Sequence, residues 1–114
     1  MRILGIDTSC DETGAAVVES GFRILSDITR TQHEHAGFGG VVPELAARAH
    51  MRLLSTLVKL ALEKAGMDIA GLDGIAATVG PGLPGALAVG VVFAKTLAQT
   101  LRRPIIPCPP PRWP

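Results

Sequence analysis

RILGIDTSCDETGAAVVESGFRILSDITRT, residues 2–31, decides the fold. Residues 2–8 form a short apolar run ending in polar side chains, as expected of a buried strand that delivers functional groups at its tip. Residues 14–19 and 22–31 are apolar or alternating runs, and Ser20-Gly21 between them is a hairpin signal. Three antiparallel strands follow, the first two joined by the polar turn Asp7-Thr8-Ser9-Cys10-Asp11-Glu12-Thr13.

Beyond this unit, QHEHAGFGGVV (residues 32–42) carries three glycines and no period, and is expected to be a loop. Pro43 fits the first position of a helix, with Glu44 in the first turn, where the helix dipole favours an acid. Lys64 and Gly66 supply the matching stop. Along this helix Arg48, Arg52, Ser55, Lys59 and Glu63 form one polar stripe. Leu53, Leu57 and Leu60 make an apolar seam, and Leu54, Val58, Ala61 and Leu62 an adjacent one, together wider than a single sheet needs. Two explanations stand side by side: a neighbouring helix of the same chain covers the extra seam, or a partner does. Residues 85–101 are the candidate neighbour, apolar on nearly all sides, with Ala86, Gly90, Ala94 and Ala98 spaced for close backbone approach. Residues 74–79 form a strand that feeds this helix through Gly80-Pro81-Gly82-Leu83-Pro84-Gly85. The β-β-β-α-β-α order predicts an α/β fold, a mixed sheet with helices on one side. Pro104-Ile105-Ile106 starts a fifth strand that the proline run from Pro107 is expected to end. The expected organisation is one lobe over residues 1–106 and an extended, polyproline-like tail over residues 107–114.

Composition narrows the function classes. At 114 residues and 47% hydrophobic content the chain can bury one modest core. Lys and Arg number 11 against 10 Asp and Glu, a net charge of +1, so the electrostatic footprint of a nucleic-acid grip is missing. Cys10 and Cys108 lack any C-x-x-C spacing, which argues against a zinc knuckle or disulfide framework and for a reducing cytoplasm. Met1-Arg2-Ile3-Leu4 runs straight towards Asp7, so no signal peptide is expected. The longest apolar stretch, residues 75–94, is broken by Gly80, Pro81, Gly82, Pro84 and Gly85, so a soluble protein with no membrane span is expected.

Three clusters could carry chemistry. The turn at residues 7–13 holds three carboxylates and three hydroxyls, far denser than a hairpin requires. Its hydroxyls and backbone N–H groups can cradle phosphates, while Asp7, Asp11 or Glu12 can hold a hydrated Mg²⁺ or take a proton. Residues 80–85 precede an apolar helix, whose free N–H groups suit an anion; without the Lys-Ser/Thr of a P-loop, a plain tight turn explains them as well. His33 and His35 fall on one side of an extended segment, but only Glu34 lies near and points the other way, so a solvated loop is preferred over a metal site. His50 is expected to be structural or at the surface.

ILGIDTSCDETGAAVV, GFGGVVPELAARAH and ATVGPGLPGALAVGVVFAKTLA resemble the three N-terminal signatures of the tRNA N6-adenosine threonylcarbamoyltransferase family, long catalogued as glycoproteases or O-sialoglycoprotein endopeptidases. The resemblance covers residues 2–106. It implies the N-terminal lobe of the actin-like ATPase (ribonuclease H-like) fold and transfer of threonylcarbamoyl from its adenylate to N6 of the adenine beside the tRNA anticodon. It further implies that Asp11 and Glu12 are catalytic, that Asp7, Thr8 and Ser9 face the ligand, and that Gly39, Gly40 and Glu44 border the same cleft. In the full-length family the ligand is ATP or threonylcarbamoyl-adenylate with Mg²⁺, and an Fe or Zn ion is held by a His-x-x-x-His pair with a distant aspartate. The proline run stands where that pair should begin, and no second lobe follows, so this chain is expected to be a truncated piece that binds no such metal and is inactive alone. Ala47 stands where the family commonly has serine. Partners implied are a second copy or a paralogue, with tRNA only in the full-length complex. The wide apolar arc predicts that pairing uses Leu53, Leu54, Leu57, Val58 and Leu62. The competing expectation is an interaction module without catalysis; peptidase chemistry finds no Ser-His, Cys-His or zinc set.

Overall fold

In the computed structural model the described residues are 1–8, 12–21, 23–31, 43–79 and 84–108. Among the described residues eight elements follow one another: β1 (Arg2–Asp7), β2 (Glu12–Glu19), β3 (Arg23–Thr31), α1 (Pro43–Ala65), a 3₁₀ turn (Ile69–Gly71), β4 (Gly74–Thr78), α2 (Pro84–Leu101) and β5 (Ile105–Cys108). The strands make one sheet in the order β3-β2-β1-β4-β5. β1 pairs antiparallel with β2 and parallel with β4; β2 pairs antiparallel with β3, and β4 parallel with β5. This is the mixed sheet that the order of elements predicts.

Both helices lie on one face, α1 over β2 and β3, α2 over β4 and β1, with the two helices in contact. Alternation along the strands fills that face: Leu4 and Ile6, Thr13, Ala15 and Val17, Ser26 and Ile28, Ile75 and Ala77 are all buried. From the helices come Leu54, Leu57, Val58, Ala61 and Leu62, with Ala94 and Ala98. The small-residue stripe on α2 behaves as predicted, with Gly90, Ala94 and Ala98 turned inward, while Arg52, Ser55, Lys59 and Glu63 of the polar stripe on α1 are exposed. Within the core, Ser26 Oγ donates to the Ala61 carbonyl at 2.7 Å, tying β3 to α1.

Two expectations are corrected. Leu54, Leu57, Val58 and Leu62 are covered by the chain's own sheet and α2, and Leu53 is packed against the same core. The second apolar seam is therefore filled largely from within: Leu54 and Leu57 offer a partner no free surface, while Leu53 is only partly buried and Val58 and Leu62 also line a groove between α1 and α2. The fifth strand also runs past Ile106 through Pro107 and Cys108, which pair with Ala77 and Thr78. Ile75 N–H donates to the Pro104 carbonyl (3.1 Å) and Val79 N–H to that of Cys108 (2.9 Å). Alternate residues of a parallel strand turn their polar groups to the same neighbour, so Pro107 sits where its missing N–H faces away from the sheet.

Both helices end in the same hydrogen-bonded stop. Met67 N–H reaches the Leu62 carbonyl (3.1 Å) and Gly66 N–H that of Glu63 (3.0 Å), with Gly66 at φ +67°. At the end of α2, Arg103 N–H reaches Ala98 (2.8 Å) and Arg102 N–H reaches Gln99 (3.2 Å), with Arg102 at φ +55°. The left-handed position is natural for glycine and strained for arginine. At the other end of the sheet, Asp73 Oδ2 accepts Arg2 N–H and Asp73 N–H donates to the Arg2 carbonyl, each at 2.8 Å, which locks β1 to the start of β4.

Candidate functional site

The parallel strands β1, β4 and β5 end together, at Asp7, Thr78 and Cys108, and β2 starts beside them at Glu12. In open α/β sheets the carboxyl ends of parallel strands are where ligands bind. Register sets the neighbours: Asp7 stands opposite Gly14, which on its other side stands opposite Thr29. Gly5 stands between Ala16 and Ala76, and Ala16 stands opposite Asp27. All of these belong to the face of the sheet away from the helices. They line a shallow depression of about 280 Å³, floored by Gly5, Gly14, Ala16 and Ala76 and bordered by Asp7, Glu12, Asp27, Thr29, Thr78 and Cys108.

The lining holds three carboxylates and no lysine or arginine. Such a wall attracts a cation and repels bare phosphate, so a phosphate ester would have to arrive with a divalent ion. No group of three His, Cys, Asp or Glu side chains that could hold a metal ion directly forms among the described residues.

Asp7 and Glu12 both line this depression. Thr8 goes elsewhere: it is only 1% exposed, and its Oγ1 accepts Gly90 N–H from α2 at 3.2 Å. Its place in the alternation explains this, because Thr8 shares the parity of Leu4 and Ile6 and turns with them towards the helices. The expectation that its hydroxyl faces a ligand is replaced by a role in joining β1 to α2. Ser9, Asp11, Gly39 and Gly40 lie outside the described residues, as do Cys10, His33 and His35; Glu44 enters only as a backbone position in the first turn of α1. Sequence reasoning missed Asp27, Thr29, Thr78 and Cys108. For Asp27 and Thr29 the signal was available, since they alternate with the buried Ser26 and Ile28; the other two needed the register of β4 and β5.

A second groove, about 440 Å³, runs between α1 and α2 on the far side of the molecule, lined by apolar Val58, Leu62, Met67, Ile69, Phe93 and Leu97 with Lys59 and Glu63 beside them. Among the described residues no helix is long and apolar enough to cross a membrane.

The chain is similar to known proteins in sequence and in fold. The family model for tRNA N6-adenosine threonylcarbamoyltransferase (TsaD) matches residues 23–109. The chain is 52% identical over 107 residues to the tRNA N6-adenosine threonylcarbamoyltransferase of Caldicellulosiruptor bescii, covering 93% of this chain and 32% of that protein. It is 56% identical over 112 residues to that of Afipia carboxidovorans, covering 93% and 31%. It therefore spans about a third of the length of the curated relatives it matches. Among solved structures, YeaZ from Pseudomonas aeruginosa superposes with a TM-score of 0.74 at 23% identity, over 96% of this chain and 45% of that one. The Aquifex aeolicus PPX-GPPA enzyme superposes with a TM-score of 0.50 at 15% identity, over 96% and 36%. At these identities the structural likeness speaks for the fold alone, and that fold is the N-terminal lobe of the actin-like ATPase type.

Proposed function

This chain belongs to the tRNA N6-adenosine threonylcarbamoyltransferase family, and from that premise we propose that it supplies the acidic wall of a threonylcarbamoyl-transfer site. The observation that carries the proposal is the convergence of Asp7 and Glu12 on one depression at the carboxyl ends of the parallel strands. The adenylate ligand brings phosphate. Asp7 offers a hard oxygen donor to a hydrated Mg²⁺, which would neutralise that phosphate. In the transfer the adenine N6 bonds to the carbamoyl carbon as the bond from that carbon to the adenylate oxygen breaks, and a proton leaves the nitrogen. Glu12, exposed at the head of β2, is the described carboxylate best suited to take it, with Asp11 as its companion. The tRNA itself is held elsewhere, since the depression is acidic and the chain carries a net charge of only +1.

Calorimetric titration of the chain with ATP and Mg²⁺ tests this. Saturable binding that falls at least about tenfold in Asp7→Asn, the loss of one charge-assisted contact, is the expected result. Heat independent of Asp7, Asp11 and Glu12 would remove the basis for the site.

Pairing with a second copy or a paralogue is a second proposal, favoured by the apolar groove between α1 and α2, which Val58 and Leu62 help to line, rather than by the fully buried Leu54 and Leu57. Concentration-dependent dimerisation in light scattering, lost in Phe93→Glu, is the expected outcome; a monomer at high concentration refutes it.

A further inference from the structure

Thr8, the residue that follows β1, meets α2 at Gly90. A Cβ added at Gly90 would stand 2.5 Å from Thr8 Oγ1 and 3.2 Å from its Cγ2, so only glycine lets the helix settle here. Glycine is a poor helix former, yet it occupies the interior of α2 at this contact. Thr8 is equally particular. In the inward row Leu4, Ile6, Thr8 it is the polar member, and a buried hydroxyl is tolerated only when hydrogen-bonded. Gly90 N–H is one such partner, 82 positions away in sequence. A hydrogen bond fixes distance and direction where apolar packing would allow sliding, and the branched Thr8 side chain has little rotational freedom of its own.

We propose that Thr8 is a positioning residue for the candidate site: its hydroxyl, seated on Gly90, fixes the height at which β1 ends over α2. Asp7 is the residue before it in the chain, and Glu12 opens the strand that pairs back onto β1. The carboxylates on the open face thus take their places from a contact on the covered face. This rests on the reading of the depression as a nucleotide half-site.

Thr8→Val keeps the shape and removes the hydroxyl; Thr8→Ser keeps the hydroxyl. Titrated with ATP and Mg²⁺ under conditions where urea midpoints show each variant folded, the serine variant is expected to bind within about threefold of the parent. The valine variant is expected to bind about tenfold more weakly or worse, the weight of one well-placed hydrogen bond. A folded valine variant with the parent's affinity overturns the proposal, because a residue that only fills space would give that result. Should Thr8→Val fail to fold, the parent decides: saturating ATP and Mg²⁺ should slow hydrogen exchange at the Gly90 amide more than at Ala98, and equal slowing overturns the proposal. A parent chain that binds no ATP at millimolar concentration sinks the half-site reading and this inference with it, an outcome that the parent titration separates from failure at Thr8 alone.

Discussion

The two faces of the sheet are written in the same strands, one residue out of step. Leu4, Ile6, Val17 and Ile75 turn to the helices and are buried, whereas Gly5, Asp7, Ala16 and Ala76 turn the other way and floor or border an open depression. One face is chosen for volume, the other for smallness and charge. Among the described residues, stability is therefore concentrated on the covered face.

The largest effect should come from the covered face. Leu4→Ala, at a position with no exposure, should lower unfolding free energy by about 3 kcal/mol in urea titration. Gly90→Ala should follow, losing about 2 kcal/mol, because the new methyl meets a rigid buried threonine. Ser26→Ala should lose about 1 kcal/mol with its bond to Ala61. Arg102→Gly should gain about 1 kcal/mol by relieving the left-handed position that ends α2. The smallest change belongs to the open face: Ala16→Val should stay within about 0.5 kcal/mol of the parent. A loss above about 1 kcal/mol there would show that the open face is packed after all, and the contrast between the faces would collapse.

Much of this was legible in the sequence, for physical reasons that differ by element. β1 to β3 announce themselves through period-two burial and a glycine turn, with Gly21 at φ +89°, and both helices through their stripes. The wide apolar arc of α1 was ambiguous because periodicity measures how much of a helix avoids water, not which neighbour covers it. Pro107 concealed the end of β5 because its cost depends on which way the missing N–H points, and only the register settles that. In the site, Asp7 and Glu12 stood out by sheer density of carboxylates in one turn. Thr8 was misassigned by that same density, although its parity with Leu4 and Ile6 pointed inward. Thr78 and Cys108 arrive from strands far along the chain, and no local pattern marks them.

Pro107 has a further consequence, for association rather than folding. Among the described residues β5 lies at the margin of the five-stranded sheet, where an unblunted row of N–H and C=O groups would invite a strand from another molecule. With the outward donor at Pro107 removed, an incoming strand finds a gap in the ladder and a ring in its way, so this margin discourages amyloid-like stacking even while β5 completes the sheet on its inner side.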